Sequence, residues 1–343
     1  MTAPLATRLQ RGDRVLVTRL NYLGDVVLSL PLVDALHARW PGVEIDYLSR
    51  RPGADLLRSD PRFSRVFALE DGVGKTLSLL KDLRSRHYSA VIDLYSNPRS
   101  AWLAWFSGAP VRIGGNRRGR RHLYTHPIAV PRAVRAVTDV FLRYGVPLGI
   151  ASDAHAGVPS LSLTPAEAAA AGTLLSPTSR RPLVGVHPGG KWSVKRWPSE
   201  KFVELIERLQ NELGAEVVVF TGPEERDATE SLRPTGVRIL DVLAIRALAA
   251  VVSRLDAMVA CDGGVMHVSA AVGTPTIGIF GSSEPAVWFP YPAPHRAAFI
   301  DLDCRPCHRH ECPLGHTRCL NDLPAAAVTR WVAESLGAAK GVR

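Results

Sequence analysis

The chain has 343 residues and a mass of 37.2 kDa, a length that predicts about two domains. With 46% hydrophobic and 22% charged residues, intrinsic disorder is excluded. No run of about 18 apolar residues predicts a membrane span, and the first ten residues lack the apolar core of a signal peptide, so a soluble, cytoplasmic protein is expected. The charge is lopsided. Residues 1–150 carry 23 Lys+Arg against 12 Asp+Glu, net +11, whereas residues 151–343 carry 19 against 20, net −1. A basic half beside a neutral half points to an anionic partner for the first: nucleic acid, a phosphorylated glycan or a membrane surface. Plain solubility with an arginine-rich codon bias is the alternative. Only 6 of the 42 basic residues are lysines, and two of them, Lys191 and Lys195, lie four apart.

In chain order, residues 14–20 predict a first strand and 26–39 a helix interrupted or started at Pro31. A second strand over 43–48 completes a βαβ unit and hence a parallel sheet. Strand candidates follow at 64–69 and 90–94, and further apolar pieces lie around 111–113. Composition shifts to Ala, Gly, Ser, Thr and Pro over 151–181, with a short helix predicted over 165–175, and this segment is taken as the domain boundary. A second series follows: strand 182–186, helix 199–213, strand 216–221, helix 245–254, strand 257–261, a helix from 264 and strand 276–280. The fold class is therefore α/β, with two Rossmann-like, doubly wound domains facing each other across a cleft. The expected division is 1–160 for the first domain, 161–180 for a linker, 181–322 for the second domain and 323–343 for a C-terminal helix and tail.

Two familiar phosphate motifs fail. Gly72–Thr76 resembles the end of a P-loop, but Leu69 stands where the first glycine belongs, and no strand-to-helix setting is evident. No Gly-x-Gly-x-x-Gly follows a strand. Asp301 and Asp303 have the spacing of a metal-holding pair in some sugar transferases, and are read as surface.

Three loops carry chemistry. Gly24 and Asp25 follow the first strand, at the carboxyl edge where open α/β sheets bind ligands; a helix N-cap is the plainer role for Asp25. His187–Pro198 (HPGGKWSVKRWP) lies between a strand and a helix; Gly189 and Gly190 let backbone N–H groups approach a phosphate, and Lys191 and Lys195 add point charge. A solvated basic loop is its plainer reading. Asp262, Gly263, Gly264 and His267 repeat the strand–glycine–helix pattern, an anion site by virtue of the helix N-terminus. Asp262 there would face a hydroxyl or a backbone donor, and His267 has the alternative of a packed core histidine. Together the loops describe a sugar diphosphate.

At these residues the chain resembles the heptosyltransferases of glycosyltransferase family 9, which transfer a heptose from ADP-heptose to the inner core of lipopolysaccharide. The resemblance rests on residues 14–31, 186–198, 220–225, 262–267 and 273–282, nearly the full length. It implies a two-domain GT-B fold, an inverting reaction and no metal required for catalysis. It also implies Asp25 as general base, Lys195 steadying the diphosphate, and Gly189, Gly190 and Lys191 as the phosphate turn. Glu225 would face the ribose, Leu243 would lie near the adenine, and Gly222, Asp262, Gly263, Gly264 and His267 would line the donor. Gly189, Gly190 and Gly263 stand where better-known members carry hydroxyl residues. A C-terminal helix over 324–336 would cross back to the first domain.

The implied partners are an ADP-sugar donor, an anionic lipopolysaccharide core acceptor and peripheral contact with the inner-membrane surface. Arg117, Arg118, Arg120 and Arg121, with Arg112, His122 and Tyr124, would meet the acceptor's phosphates and carboxylates beside Gly24. A solvated basic loop is again the alternative. Cys304, Cys307, Cys312 and Cys319 gather four of five cysteines in sixteen residues. Four thiolates suit a structural zinc; an iron–sulfur cluster, reduced thiols and a disulfide are the alternatives. A zinc-stabilised nucleic-acid binder leaves the three loops unexplained and lacks stacking aromatics. Another nucleotide sugar or glycan acceptor, or an epimerase or hydrolase on the same architecture, stays open.

Overall fold

Apolar strands alternating with helices build two parallel sheets in the computed structural model, which describes residues 8–117, 119–129, 136–175, 182–222 and 226–340. The chain divides into a first unit, residues 1–159, and a second, residues 160–343. The first contains β1 (Arg14–Thr18), β2 (Glu44–Ser49), β3 (Arg65–Ala68), β4 (Ala90–Asp93), β5 (Val111–Gly115) and β6 (His126–Ile128), ordered β3-β2-β1-β4-β5-β6. Its helices are α1 (Leu23–Leu28), α2 (Leu30–Arg39), α3 (Gly53–Leu57), α4 (Val73–Ser85), α5 (Pro98–Phe106) and α6 (Val137–Arg143). β1 is buried almost throughout, as a central parallel strand covered on both faces must be. The helical run predicted over 26–39 breaks at Ser29, whose hydroxyl donates to the Val26 carbonyl at 2.7 Å. Pro31 then sits in the first turn of α2, where its missing N–H costs nothing.

The second unit holds β7 (Leu183–His187), β8 (Glu216–Phe220), β9 (Arg238–Leu240), β10 (Ala257–Cys261), β11 (Thr276–Ile279) and β12 (Arg296–Ala298), ordered β12-β11-β10-β7-β8-β9. Its helices are α7 (Pro165–Leu175), α8 (Ser199–Leu213), α9 (Arg226–Glu230), α10 (Ile245–Val252), α11 (Gly264–Ala271), α12 (Pro285–Trp288), α13 (Arg318–Asn321) and α14 (Ala325–Lys340). α8 buries Phe202, Leu205, Ile206 and Leu209, spaced for one helical face, and ends at Gly214 in the left-handed region. α14 lays Val328, Val332 and Leu336 into that same core. The apolar stripe of α14 packs on α8, β10 and β11 of the second unit.

The segment expected as a linker also belongs to the second unit. α7 packs on α10, and Arg246 clamps Glu167 through two hydrogen bonds, Nε to Oε1 at 2.8 Å and Nη2 to Oε2. That pairing holds the Glu167 carboxyl down at about 2. Residues 176–181 of the segment lie outside the described residues. Among the described residues no helix is long and apolar enough to cross a membrane. Contrary to expectation, Gly72–Thr76 follows a strand, β3, and opens a helix, with Gly72 as N-cap and Val73–Thr76 inside the start of α4; Leu69 is what separates it from a phosphate loop.

Candidate active site

Both sheets reverse strand order at their first strand, between β1 and β4 in one and between β7 and β10 in the other. Such reversals open a crevice at the carboxyl ends of the strands, because the crossovers leave to opposite faces. The loops singled out from the sequence follow those strands.

In the first unit Asp25 is the third residue of α1 and is 6% exposed. It is not the N-cap; Tyr22 holds that place, and the Asp25 carboxylate accepts the Tyr22 N–H at 3.4 Å. Its Oδ2 also takes Arg19 Nη2 at 2.7 Å, while Oδ1 is buried without a hydrogen-bond partner. Arg19 is fixed in turn by the Leu94 carbonyl at 3.1 Å and by the Tyr95 ring, 4.8 Å from the guanidinium. Buried Asp93, at the end of β4, accepts the N–H groups of Tyr95 and Ser96 and the Tyr124 hydroxyl, so the neighbouring loop is tied down. Gly24 is buried beside this group.

The arginine loop divides. Arg112 donates to the carbonyls of Leu123 and Ala109 and Tyr124 is buried, so these two hold the fold together. Arg120 donates to the Ser96 carbonyl at 3.0 Å. Arg117, Arg121 and His122 are exposed, and Arg118 lies outside the described residues.

In the second unit Lys195 Nζ meets Asp262 Oδ2 at 2.6 Å, joining the loop after β7 to the loop after β10. Asp262 therefore faces an ammonium rather than the hydroxyl or backbone donor expected. Immediately beyond it, α11 begins after Gly263, and the N–H groups of its first turn have no helical acceptor. The loop carrying Lys191 and Lys195 is held at both ends by Cys261, whose thiol donates to the Pro188 carbonyl and accepts the Trp197 N–H; burial pushes that thiol up to about 12. Gly190 is tightly placed: a Cβ there would stand 3.1 Å from the Lys195 carbonyl oxygen, closer than most side chains come to a neighbour. So is Gly281, where a Cβ would come within 2.1 Å of the Val194 carbonyl. Gly189 is buried in the same turn, and Gly222 and Leu243 lie half-buried in the loops after β8 and β9. Glu225 lies outside the described residues. His267 is 3% exposed, packed beside Tyr291, as a core histidine would be.

The cysteine segment corrects an expectation. Cys304, Cys307, Cys312 and Cys319 are free, and no group of three or more His, Cys, Asp or Glu among the described residues is arranged to hold a metal. Cys319 rides on α13 with its thiol turned into the core, whereas Cys312 accepts backbone N–H groups from residues 314–317, which lower its pKa. Burial raises the Cys319 pKa, and the nearby Cys312, Cys304 and Cys307 thiols add to it, so the four sulfurs share one neighbourhood without closing into the metal-holding group expected of them.

A family model, glycosyltransferase family 9 (heptosyltransferase), matches residues 76–318. The chain belongs to glycosyltransferase family 9. It is 26% identical to lipopolysaccharide heptosyltransferase 2 of Escherichia coli K12, over 84% of this chain and 88% of that protein. It is 27% identical to lipopolysaccharide heptosyltransferase 1 of Pseudomonas aeruginosa PAO1, over 90% and 91%. The solved structure of E. coli ADP-heptose lps heptosyltransferase II superposes with a TM-score of 0.80 at 23% identity, covering 95% of this chain and 99% of that one. The protein is thus a transferase of the α/β type that the sequence implied.

Two features of the candidate loops escaped the sequence. Arg19 was passed over as part of a strand, although an arginine closing an otherwise apolar run is itself a signal. Trp192 lies near both lysines, 5.6 Å from Lys191 Nζ and 5.2 Å from Lys195 Nζ, and stacks on His310 with centroids 4.0 Å apart. No local pattern links residues that far apart in the chain.

His187, ending β7, carries a pH dependence. Burial pushes its ring down to about 4, and Nδ1 has no partner. Between pH 6.5 and 4 the unfolded chain binds a proton that the folded ring refuses, so stability is full above that window and falls as pH drops through it. Between pH 7 and 5 the loss is about 2 kcal/mol from this ring, and His295, also pushed to about 4, adds to it. Urea midpoints at the two pH values should show a smaller drop for His187→Gln than for the natural chain; equal drops would discard the account.

Proposed function

We propose that this family 9 enzyme moves a heptose from ADP-heptose to a lipopolysaccharide inner-core acceptor, by an inverting displacement that needs no metal. The observation that carries the reading is the Lys195–Asp262 pair at the strand-order reversal, set against the N-terminus of α11. A lysine held in place beside free helical N–H groups is suited to a diphosphate, in the ground state and as charge builds on it. Heptose and lipopolysaccharide come from the two similar heptosyltransferases, and ADP-heptose from the similar solved structure.

In this reading an acceptor hydroxyl gives its proton to Asp25 Oδ1 while its oxygen bonds to the anomeric carbon. The bond from that carbon to the diphosphate oxygen breaks, and its electron pair leaves on ADP. Gly189, Gly190, Lys191 and Lys195 receive the diphosphate, with Gly263 and Gly264 at the helix start. Gly222 and Leu243 border the nucleoside; Glu225, expected at the ribose, lies outside the described residues. Gly24, Arg117, Arg120 and Arg121, with Arg118, serve an anionic acceptor. A lipid-anchored acceptor brings the enzyme to a membrane surface on its cytoplasmic side.

The test is thermal stabilisation by ADP, UDP, GDP and their sugars, with ADP-heptose included. At a hundredfold excess over Kd a ligand adds about 2.7 kcal/mol, on the order of 5 °C or more for a unit of this size. ADP-heptose should give the largest shift. A larger shift with another nucleotide sugar would keep the transferase and discard heptose, and steady consumption of donor without acceptor would favour an epimerase or hydrolase.

A further inference from the structure

α4 and α5 lie side by side and run in the same direction on the first sheet. Arg99, at the start of α5, donates to Glu70 O and Thr76 Oγ1 around the start of α4; Arg84, near the end of α4, donates to Phe106 O at the end of α5. Their inner sides supply Leu79, Leu83, Ala101, Leu103 and Ala104 to the core. Their outer sides are unlike a solvated surface. On α4, Val73 and Leu77 are 79% and 60% exposed, and with Leu80 and Arg84 they recur at 4-3-4 spacing. That spacing gives one flank, the flank from which Arg84 reaches α5. On α5, Trp102, Trp105 and Phe106 are 43–49% exposed and touch one another, with ring centroids 4.9 to 5.8 Å apart.

Cations border this apolar strip on both sides. Lys81 and Arg84 are exposed on α4, and the short turn Arg121–Leu123 packs against α5 with Arg121 and His122 exposed. Nearby acids are largely neutralised: Glu70 pairs with Lys75, and Asp71 with Arg50 and Arg99, leaving Asp82 on α4. Indoles combine a large apolar body with a polar N–H and favour the boundary between water and acyl chains. Aromatics flanked by arginine and lysine, in a half-chain of net +11, match an anionic bilayer in both hydrophobicity and charge.

We propose that the α4–α5 face is a docking surface for an anionic lipid bilayer, with Trp102, Trp105 and Phe106 entering the headgroup region. The surface gives the membrane approach of the proposed function its place on the molecule, and rests on that reading for its biological sense. Its test does not, because binding is read without donor or acceptor.

The full chain is sedimented with vesicles of phosphatidylcholine alone or with phosphatidylglycerol added, beside a Trp102→Ser/Trp105→Ser double variant and a Leu77→Asp variant. The natural chain should bind the phosphatidylglycerol vesicles, and each variant should bind roughly tenfold more weakly or worse, with unchanged circular dichroism and an unchanged thermal shift with ADP. Absence of binding by the natural chain, or undiminished binding by properly folded variants, would overturn the proposal. So would light scattering that shows a dimer dissolved by the double variant, since a second copy would then own the face. Vesicle binding without any nucleotide response would spare this surface and remove the transferase reading of the second unit's loops.

Discussion

Asp25→Asn is expected to lower kcat by about 10²–10⁴-fold, the usual cost of losing a general base, while ADP affinity is unchanged. The amide keeps the shape of the carboxylate and removes its basicity. Oδ2 is already engaged by Arg19 and the Tyr22 N–H, so Oδ1 is the atom left to take a proton. The substitution also strands Arg19, whose side chain is 13% exposed. Breaking a buried pair from one side costs about 3–5 kcal/mol, so the first unit should melt earlier. Arg19 keeps its contacts with Leu94 and Tyr95, which limits the rearrangement. Nucleotide affinity, measured by calorimetry, is the internal control because the loops proposed to hold the diphosphate belong to the second unit. Turnover within tenfold of the natural enzyme, in protein that still binds ADP, would reduce Asp25 to a structural partner of Arg19.

Lys195→Ala should cost about 10²–10³-fold in kcat, comparable with the loss of one preorganised donor at a developing oxyanion. The lysine is held at 2.6 Å by Asp262, so its ammonium is in position before any ligand arrives. Removing it leaves a carboxylate beside the N-terminus of α11, where the helix partly compensates it and an incoming diphosphate is repelled. Donor affinity should therefore fall together with kcat. Asp262→Asn separates the two effects: the lysine stays charged but loses its anchor, so ADP binds at least as well while turnover drops. Unaltered kinetics in both variants would remove the pair from the reaction.

The central strands and principal helices were legible because their signals are local. α7 and α8 have the bounds read from the sequence, and β10 was found whole, five buried residues in an unbroken apolar run. Of the four outermost strands β3 was legible, and the other three were missed for a physical reason. β6, β9 and β12 are three residues each, and β6 contains Pro127, which only an edge position tolerates. α4 was missed because only Leu79 and Leu83 are buried along thirteen residues, leaving little periodicity to detect. α5 did announce itself, through Asn97 capping Pro98 and exchanging hydrogen bonds with Ser100, but its exposed tryptophans blur the apolar face. The loops of the candidate site were legible from glycine and lysine spacing. Their partners were not, since Lys195 to Asp262, Arg19 to Leu94 and Trp192 to His310 are contacts that topology alone creates.

The strand order of the second sheet also sets a timetable for synthesis. β7 is followed in the chain by β8 and β9, yet its other neighbour is β10, and the loop bearing Lys195 is pinned by Cys261 and Asp262. At ordinary elongation rates that loop waits on the order of ten seconds on the ribosome for the strand that fixes it. The first unit, by contrast, is continuous and has all its strands before the second begins. A nascent chain thus carries a finished Arg19–Asp25 pair well before Lys195 and Asp262 can meet, and a chain released early keeps the first and lacks the second.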